Sequence, residues 1–355
     1  MNMKNFNHRR KLEFCLKHHI LYKDMWSWSM ATRFVNEHRL PIPVINKKTF
    51  FYFLKNYDSY FDTISKWNDL CTQIEVFFGG DPQAFVEGFI EIRNKVIEAV
   101  KENEAYQRFN TMDMSKFSVD KYKYKQKGKN VFCEANIGKT LVSIDLRKAN
   151  FQALNYVDKD IMFNSVTYND FISKFTELPL VKKSKYFRQV FFGQLNPSRV
   201  FTVETYMIYQ VIDCMTKHFE GLDYEIVSIN ADEVTISLNI NRAYDISPIN
   251  SKIYSFDSLC RLETGIITHT TVYILEGYNF YSNPRNRKRF TFYAKNYIIL
   301  RTDKILETQL MCVPGPYFAI TWKLFNGKKP SKMDYHFSYE ENDCIFNDTF
   351  RIEKI

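Results

Sequence analysis

Between Asn5 and Gln107 apolar residues recur mostly at helical spacing. Phe85, Phe89, Ile92, Val96 and Val100 stand four, three, four and four apart and mark one face of a helix. The preceding Gly79-Gly80-Asp81-Pro82 predicts its start, with Asp81 as the cap and Pro82 in the first helical position. From Lys116 to Asn130 the chain is rich in Lys and Tyr without apolar periodicity and reads as a basic linker. The period then shortens. Runs of β-branched and aromatic residues around 131–134, 140–145, 224–229, 233–240, 269–275 and 290–300 predict strands. Helical stretches at Ala149–Tyr156, Asn169–Phe175, Lys183–Gln194 and Val203–His218 separate the second run from the third. These patterns predict an α+β protein with an antiparallel sheet and helices on one of its faces. They divide the chain into a helical region at 1–115, a core at 116–300 and a small extension at 301–355.

Two of the predicted strands carry carboxylates where an apolar run is expected to continue. Asp145 ends Leu141-Val-Ser-Ile, and Asp232-Glu233 sits between Ile226-Val-Ser-Ile and Val234-Thr-Ile. Burying such charges costs several kcal/mol unless they are compensated, and a divalent cation shared between two strands is one compensation. The main-chain carbonyl of Leu146 is a candidate further oxygen ligand. Each feature also has a plainer reading. Asp145 could cap the helix that follows it, and Asn230-Ala-Asp232-Glu233 could be the polar tip of a β-hairpin.

Charge and composition add a partner class. The 355 residues carry a formal charge of +9 and are 17% aromatic, with Lys and Arg beside Phe and Tyr throughout. A basic, aromatic surface suits a polyanion whose bases can stack, so nucleic acid is favoured over an acidic small molecule. Two segments concentrate this chemistry. On a helix, Lys185, Arg188, Gln189 and Phe192 share one face and suit an incoming nucleotide, with cations for the phosphates and a ring for the base. In Lys288-Arg289-Phe-Thr-Phe-Tyr-Ala-Lys295-Asn-Tyr297, basic and aromatic residues alternate as on a strand that holds a nucleic-acid backbone. An amphipathic basic helix and a solvated edge strand are the plainer alternatives. Seven scattered cysteines without a CxxC pair, and no signal-peptide pattern, predict an intracellular, cytoplasmic setting, and no apolar run of about 18 residues predicts a membrane span. Cys15 with His8, His18 and His19 matches no familiar zinc spacing.

Taken in order, these motifs resemble the palm of family B DNA polymerases, particularly the viral and protein-primed ones, from about Val131 to Leu300. Asp145 matches the aspartate that ends the family's first strand. Lys185, Gln189, Phe192 and Gly193 follow the spacing of its Lys-x-x-x-Asn-Ser-x-Tyr-Gly helix, Asp232 falls on the second aspartate of its hairpin, and Lys295-Asn-Tyr297 matches Lys-x-Tyr. The chain departs from the family at Lys148-Ala-Asn-Phe151 in place of Ser-Leu-Tyr-Pro, so that Asn150 stands where the family has its sugar-excluding tyrosine, and at Asn230 in place of the first hairpin aspartate. Asp145-Leu-Arg-Lys-Ala and Ala231-Asp232-Glu233 also resemble the corresponding motifs of reverse transcriptases. Either resemblance implies a palm-type sheet, a thumb-like C-terminal extension and two-metal nucleotidyl transfer with Mg²⁺ or Mn²⁺ at Asp145, Asp232 and Leu146, Glu233 assisting. The implied nucleotide site is Lys185, Arg188, Gln189, Phe192 and Asn150, and the implied nucleic-acid contacts are Lys288, Arg289, Lys295 and Tyr297. The implied partners are a DNA or RNA primer-template, nucleoside triphosphates and further replication or transcription subunits. No proofreading strand pair is found in the helical region. The Asn, Lys, Tyr, Phe and Ile usage suits an AT-rich genome such as that of a virus or mobile element, and a non-catalytic nucleic-acid-binding protein with a degenerate palm is the alternative from another class.

Overall fold

A computed structural model describes most of residues 3–272, with side chains from residue 8 and interruptions within 39–45, 57–61, 127–137 and 240–249. Beyond residue 272 it describes only the backbone of strands lying between 273 and 345. The helical region contains α1 (Met3–Lys17), α2 (Trp28–His38), α3 (Lys47–Asn56), α4 (Thr63–Phe78), α5 (Pro82–Glu102) and α6 (Glu104–Thr111). As the sequence predicts, α5 begins at Pro82, and the Asp81 side chain accepts from the main-chain N–H groups of Gln83 and Ala84 at 2.8 and 3.3 Å. Phe85, Phe89, Val96 and Val100 are buried along its inner face. Gly79 closes α4 at φ 58°, a left-handed position that glycine takes without a Cβ penalty. Trp67 centres this region, edge-on to Phe34, Phe50 and Phe51, and its indole N–H donates to the Tyr22 carbonyl at 2.8 Å.

The second region follows the order β–α–β–β–α–β. Strand β1 (Thr140–Leu146) leads to α7 (Ala149–Val157), α8 (Tyr168–Ser173), α9 (Pro179–Lys183), α10 (Lys185–Phe192) and α11 (Pro197–His218). The hairpin β2 (Tyr224–Ile229) and β3 (Glu233–Leu238) follows, then α12 (Asn250–Thr264) and β4 (Thr268–Gly277). Strands β5 (Phe280–Ser282) and β6 (Arg289–Thr291) pair apart, whereas β7 (Asn296–Arg301) and β8 (Lys304–Leu310) extend the main sheet to the antiparallel order β2-β3-β1-β4-β7-β8. The first four sheet strands thus form a split βαβ arrangement with β3 inserted between β1 and β2. The fold is α+β, and the main sheet continues past residue 300 into the segment read from sequence as a separate extension.

Alternation along the strands separates the two sheet faces. Val142, Ile144 and Leu146 of β1, Val234, Ile236 and Leu238 of β3, and Val272 of β4 join the apolar cluster formed with α11 and α12. Leu141, Ser143 and Asp145 point the other way, together with Glu233, Thr235 and Ser237 of β3, so the opposite face is largely polar. The cluster also reaches the helical region without interruption, for Phe89 of α5 meets Phe187 of α10 edge-on at 5.1 Å.

One predicted strand takes another form, and another falls partly outside the described residues. Residues 132 and 133, the middle of the strand expected at 131–134, lie outside the described residues; beside them Glu134–Asn136 is a 3-10 turn, and the Asn136 amide donates to the Val131 carbonyl at 2.7 Å. The run at 290–300 is divided between β6 and β7. Among the described residues, no helix is long and apolar enough to cross a membrane.

Asp257 of α12 fastens that helix to β4. Its carboxylate accepts from Thr268 Oγ1 at 2.7 Å, Thr270 Oγ1 at 2.8 Å and the Thr270 N–H at 3.0 Å. Asp257→Ala is expected to lower unfolding free energy by about 2–3 kcal/mol in chemical denaturation, because charge-assisted bonds to two part-buried threonines are lost together. A change within about 0.5 kcal/mol, the range of an ordinary surface substitution, would contradict this fastening role.

Candidate functional site

The antiparallel register brings the two carboxylate strands together. Asp145 lies opposite Glu233 across the β1–β3 ladder, and the Leu146 N–H donates to the Asp232 carbonyl at 2.8 Å. Asp145 is not a helix cap. It lies inside β1, paired on both sides, and Lys148 occupies the N-cap of α7 with φ 53° and ψ 49°. The hairpin reading holds as geometry, since the Asn230 N–H donates to the Glu233 carbonyl at 2.8 Å. The hairpin tip carries Asp232 to the end of β1, so the turn and the site are the same feature.

Asp145 and Asp232 line one cavity of about 1070 Å³. Leu146, Asn150, Lys185, Arg188, Gln189 and Phe192 line it as well, so the sequence-predicted nucleotide and metal residues converge there. The cavity wall carries six cations, Arg147, Lys148, Lys159, Lys185, Arg188 and Arg261, against the two carboxylates. That balance favours a polyanionic ligand over a cationic one. Glu233 does not line the cavity; it accepts from Ser143 Oγ at 2.5 Å on the polar sheet face. Phe192 is 4% exposed and its ring packs on Phe191 and Tyr168, which leaves little of it for stacking on a base. Lys288 and Lys295 lie outside the described residues, and Arg289 and Tyr297 are described only as strand backbone, Tyr297 opposite Leu275 and Gln309.

Burial, followed by the fields of Asp232 and Glu233, pushes the Asp145 carboxyl up to about 7, with Lys185 acting in the opposite direction. Among the described residues no hydrogen bond reaches this carboxylate. A half-buried carboxylate beside two others gains when a divalent cation neutralises the group, so Asp145 and the exposed Asp232 fit such an ion as two oxygen-donor residues. The fit extends to the pair only. Among the described residues, the sole set of three His, Cys, Asp or Glu ligand atoms within 4.8 Å of one another is His19, Asp58 and Asp62 in the helical region.

Several residues that shape the cavity belong to none of the sequence motifs. Glu204 of α11 is 6% exposed and accepts from the Asn150 amide. Burial raises its carboxyl to about 7, with a further contribution from Asp232. Its sequence signal is position, for it occupies the stripe of Val200, Val203, Met207 and Ile208. Gln152 donates to the carbonyls of Arg147 and Ile267 and accepts from the Ile267 N–H at 2.8 Å, tying the end of β1 to the approach of β4. His269, opposite Asp145 on β4, lines the cavity. Glu37 of α2 accepts from Ser184 Oγ and from the Lys185 N–H at 3.0 Å, setting the start of α10. Nothing in the local sequence around Gln152 or Glu37 marks these long-range bonds.

The raised Asp145 pKa fixes the sign of a pH effect. The folded state holds a proton that the unfolded state releases near pH 4, so Asp145 costs no stability below that pH. The cost grows between about pH 4 and 7 and is complete above 7. In the absence of divalent cations, Asp145→Asn is expected to raise unfolding free energy at pH 8 by on the order of 2 kcal/mol, with the gain shrinking towards zero near pH 4. Equal stabilisation at both pH values, or destabilisation at pH 8, would show that the charge is not the source of the cost.

Comparison of this chain with family models, with characterised proteins and with solved structures gives no match.

Proposed function

We propose that this protein is a template-dependent nucleotidyltransferase whose sheet is a polymerase palm and whose metal-binding pair is Asp145 and Asp232. The observation that carries this reading is the convergence of the two carboxylates, from neighbouring antiparallel strands, in a large cavity whose remaining charged wall is cationic. The split βαβ order agrees with it, because it sets the first aspartate strand beside the hairpin, as the motif order resembling family B polymerases implies.

Asp145 and Asp232 would hold Mg²⁺ or Mn²⁺, which would supply activation of a primer hydroxyl and charge stabilisation for the departing pyrophosphate. The chain's own residues do the rest. Lys185, exposed at the start of α10, and Arg188, one turn on, neutralise phosphate oxygens of the incoming nucleotide. Asn150 is held by Glu204 and offers a small amide where a bulky side chain would narrow the cavity. Gln189 is exposed on the cavity wall beside them. A DNA or RNA primer-template is the second substrate, with Lys288, Arg289, Lys295 and Tyr297 as its proposed contacts near β6 and β7.

One observation favours a second reading. Glu233 is engaged by Ser143, and the three carboxylates do not close into one ligand set, as would suit a degenerate palm that binds nucleic acid without catalysis. Primer extension on DNA and RNA templates with Mg²⁺ or Mn²⁺ separates the two. Nucleotidyl transfer predicts extension by the wild type and a loss of at least about a hundredfold in Asp145→Ala and Asp232→Ala, because metal charge stabilisation is worth several kcal/mol. Extension indistinguishable between the wild type and both variants sinks the assignment. No extension with retained primer-template binding supports the second reading.

A further inference from the structure

Outside the cavity, the turn after α1 and the start of α4 bring together three side chains that can ligate a metal. His19, Asp58 and Asp62 each offer one ligand atom, and these atoms lie within 4.8 Å of one another. None of the three lines the cavity. His19 Nε2 stands 2.6 Å from Asp58 Oδ2, a distance at which the two atoms share a proton. A tetrahedral zinc ion with donor distances of about 2.0–2.1 Å holds its ligand atoms roughly 3.3 Å apart. That spacing lies between the 2.6 Å of the His19–Asp58 pair and the 4.8 Å that bounds the set, so small side-chain rotations suffice to enclose an ion.

Groups outside the set hold these donors in place. The Asn68 amide of α4 donates to the Ile20 carbonyl at 2.8 Å, and its oxygen accepts from the Tyr22 N–H at 3.0 Å, which docks the chain just after His19 onto α4. Ser65 Oγ lies 3.4 Å from His19 Nδ1, so the second ring nitrogen has a partner and Nε2 is the one directed at Asp58. Such an outer partner is what fixes the ring of a metal-ligating histidine. The Ile64 N–H donates to Asp58 Oδ1 at 2.8 Å and leaves Oδ2 facing His19. Asp62 occupies the N-cap of α4, where an aspartate ordinarily accepts from the first turn, yet its side chain makes no cap bond. Two carboxylates against one imidazole leave the set net negative even with the ring protonated. After burial, the field of Asp62 also pushes up the carboxyl of Asp69, with Lys183 opposing.

We infer that His19, Asp58 and Asp62 form a zinc site that fastens the turn after α1 to the start of α4. The donor set decides the class of metal. An imidazole nitrogen with two carboxylate oxygens suits Zn²⁺, whereas Mg²⁺ seeks an octahedron of oxygens and gives up its waters reluctantly. Binding releases to solvent the proton shared by Nε2 and Oδ2 and puts the metal in its place. Asp62 supplies the third donor, and water takes the fourth position of the tetrahedron. The site uses no residue of the cavity, so it stands or falls independently of nucleotidyl transfer.

Isothermal titration of the full chain with ZnCl₂ and with MgCl₂ tests this, in an Asp145→Asn, Asp232→Asn background that silences the cavity pair. One Zn²⁺ is expected to bind per chain, at least about a hundredfold more tightly than Mg²⁺, and to raise the thermal unfolding midpoint. Asp62→Asn removes a carboxylate that caps nothing. It is expected to leave the midpoint in EDTA unchanged, to weaken zinc binding at least about tenfold and to remove most of the zinc-induced rise. His19→Ala is expected to lose the ion altogether. Zinc affinity that is the same in the background chain and in both variants overturns the site. Mg²⁺ binding as tight as that of Zn²⁺ overturns it as well, because it would show that the nitrogen donor is not used. A midpoint that does not respond to zinc before the His19 and Asp62 changes are made would leave His19 and Asp58 as an ion pair and overturn the metal assignment.

Discussion

The antiparallel register between β1 and β3 is the constraint on which the site depends. It sets Asp145 opposite Glu233 and delivers Asp232 from the hairpin tip to the end of β1. It also keeps Val142, Ile144 and Leu146 on the face packed by α11 and α12. A one-residue slip would turn those three residues away from the helices and drive Ser143 and Asp145 into the apolar cluster, so the core enforces the register that assembles the carboxylates. Stability and site geometry therefore share one cause. The charge at Asp145 is tolerated because packing elsewhere fixes the strand.

The rest of the cavity is assembled by contacts distant in sequence. Glu37, in the helical region, orders the first turn of α10, and Phe89 packs against Phe187 within the same turn. Gln152 ties the end of β1 to the approach of β4, and Glu204 holds Asn150. The helical region is thus part of the wall-building apparatus, since the helix carrying Lys185 and Arg188 is positioned against it. A shared apolar cluster makes the two regions mechanically continuous among the described residues.

What was legible in the sequence follows from range. The cap at Asp81, the helix after it and the hairpin around Asn230 are local, so composition and spacing within a few residues predict them. The pairing of Asp145 with the hairpin was legible through motif order, because alternation fixes which strand positions share a face. At the edge of the strand expected at 131–134, the 3-10 turn at Glu134–Asn136 and the bond from the Asn136 side chain to the Val131 carbonyl are local features that β-propensity does not weigh. The roles of Glu37 and Gln152 were not legible, because each depends on partners far along the chain. Glu204 lies between these cases. Its place on an apolar helical stripe was visible, but its partner Asn150 was not.

Asp145 and Asp232 are proposed to hold a divalent metal ion together. Anomalous scattering from crystals soaked in Mn²⁺ tests it directly. The expected result is a peak within oxygen-ligand distance of both carboxylates, about 2.0–2.3 Å from an oxygen of each, that disappears in Asp232→Asn. A well-ordered site with both carboxylates in place and no Mn²⁺ between them, while manganese binds elsewhere in the same crystal, would contradict it.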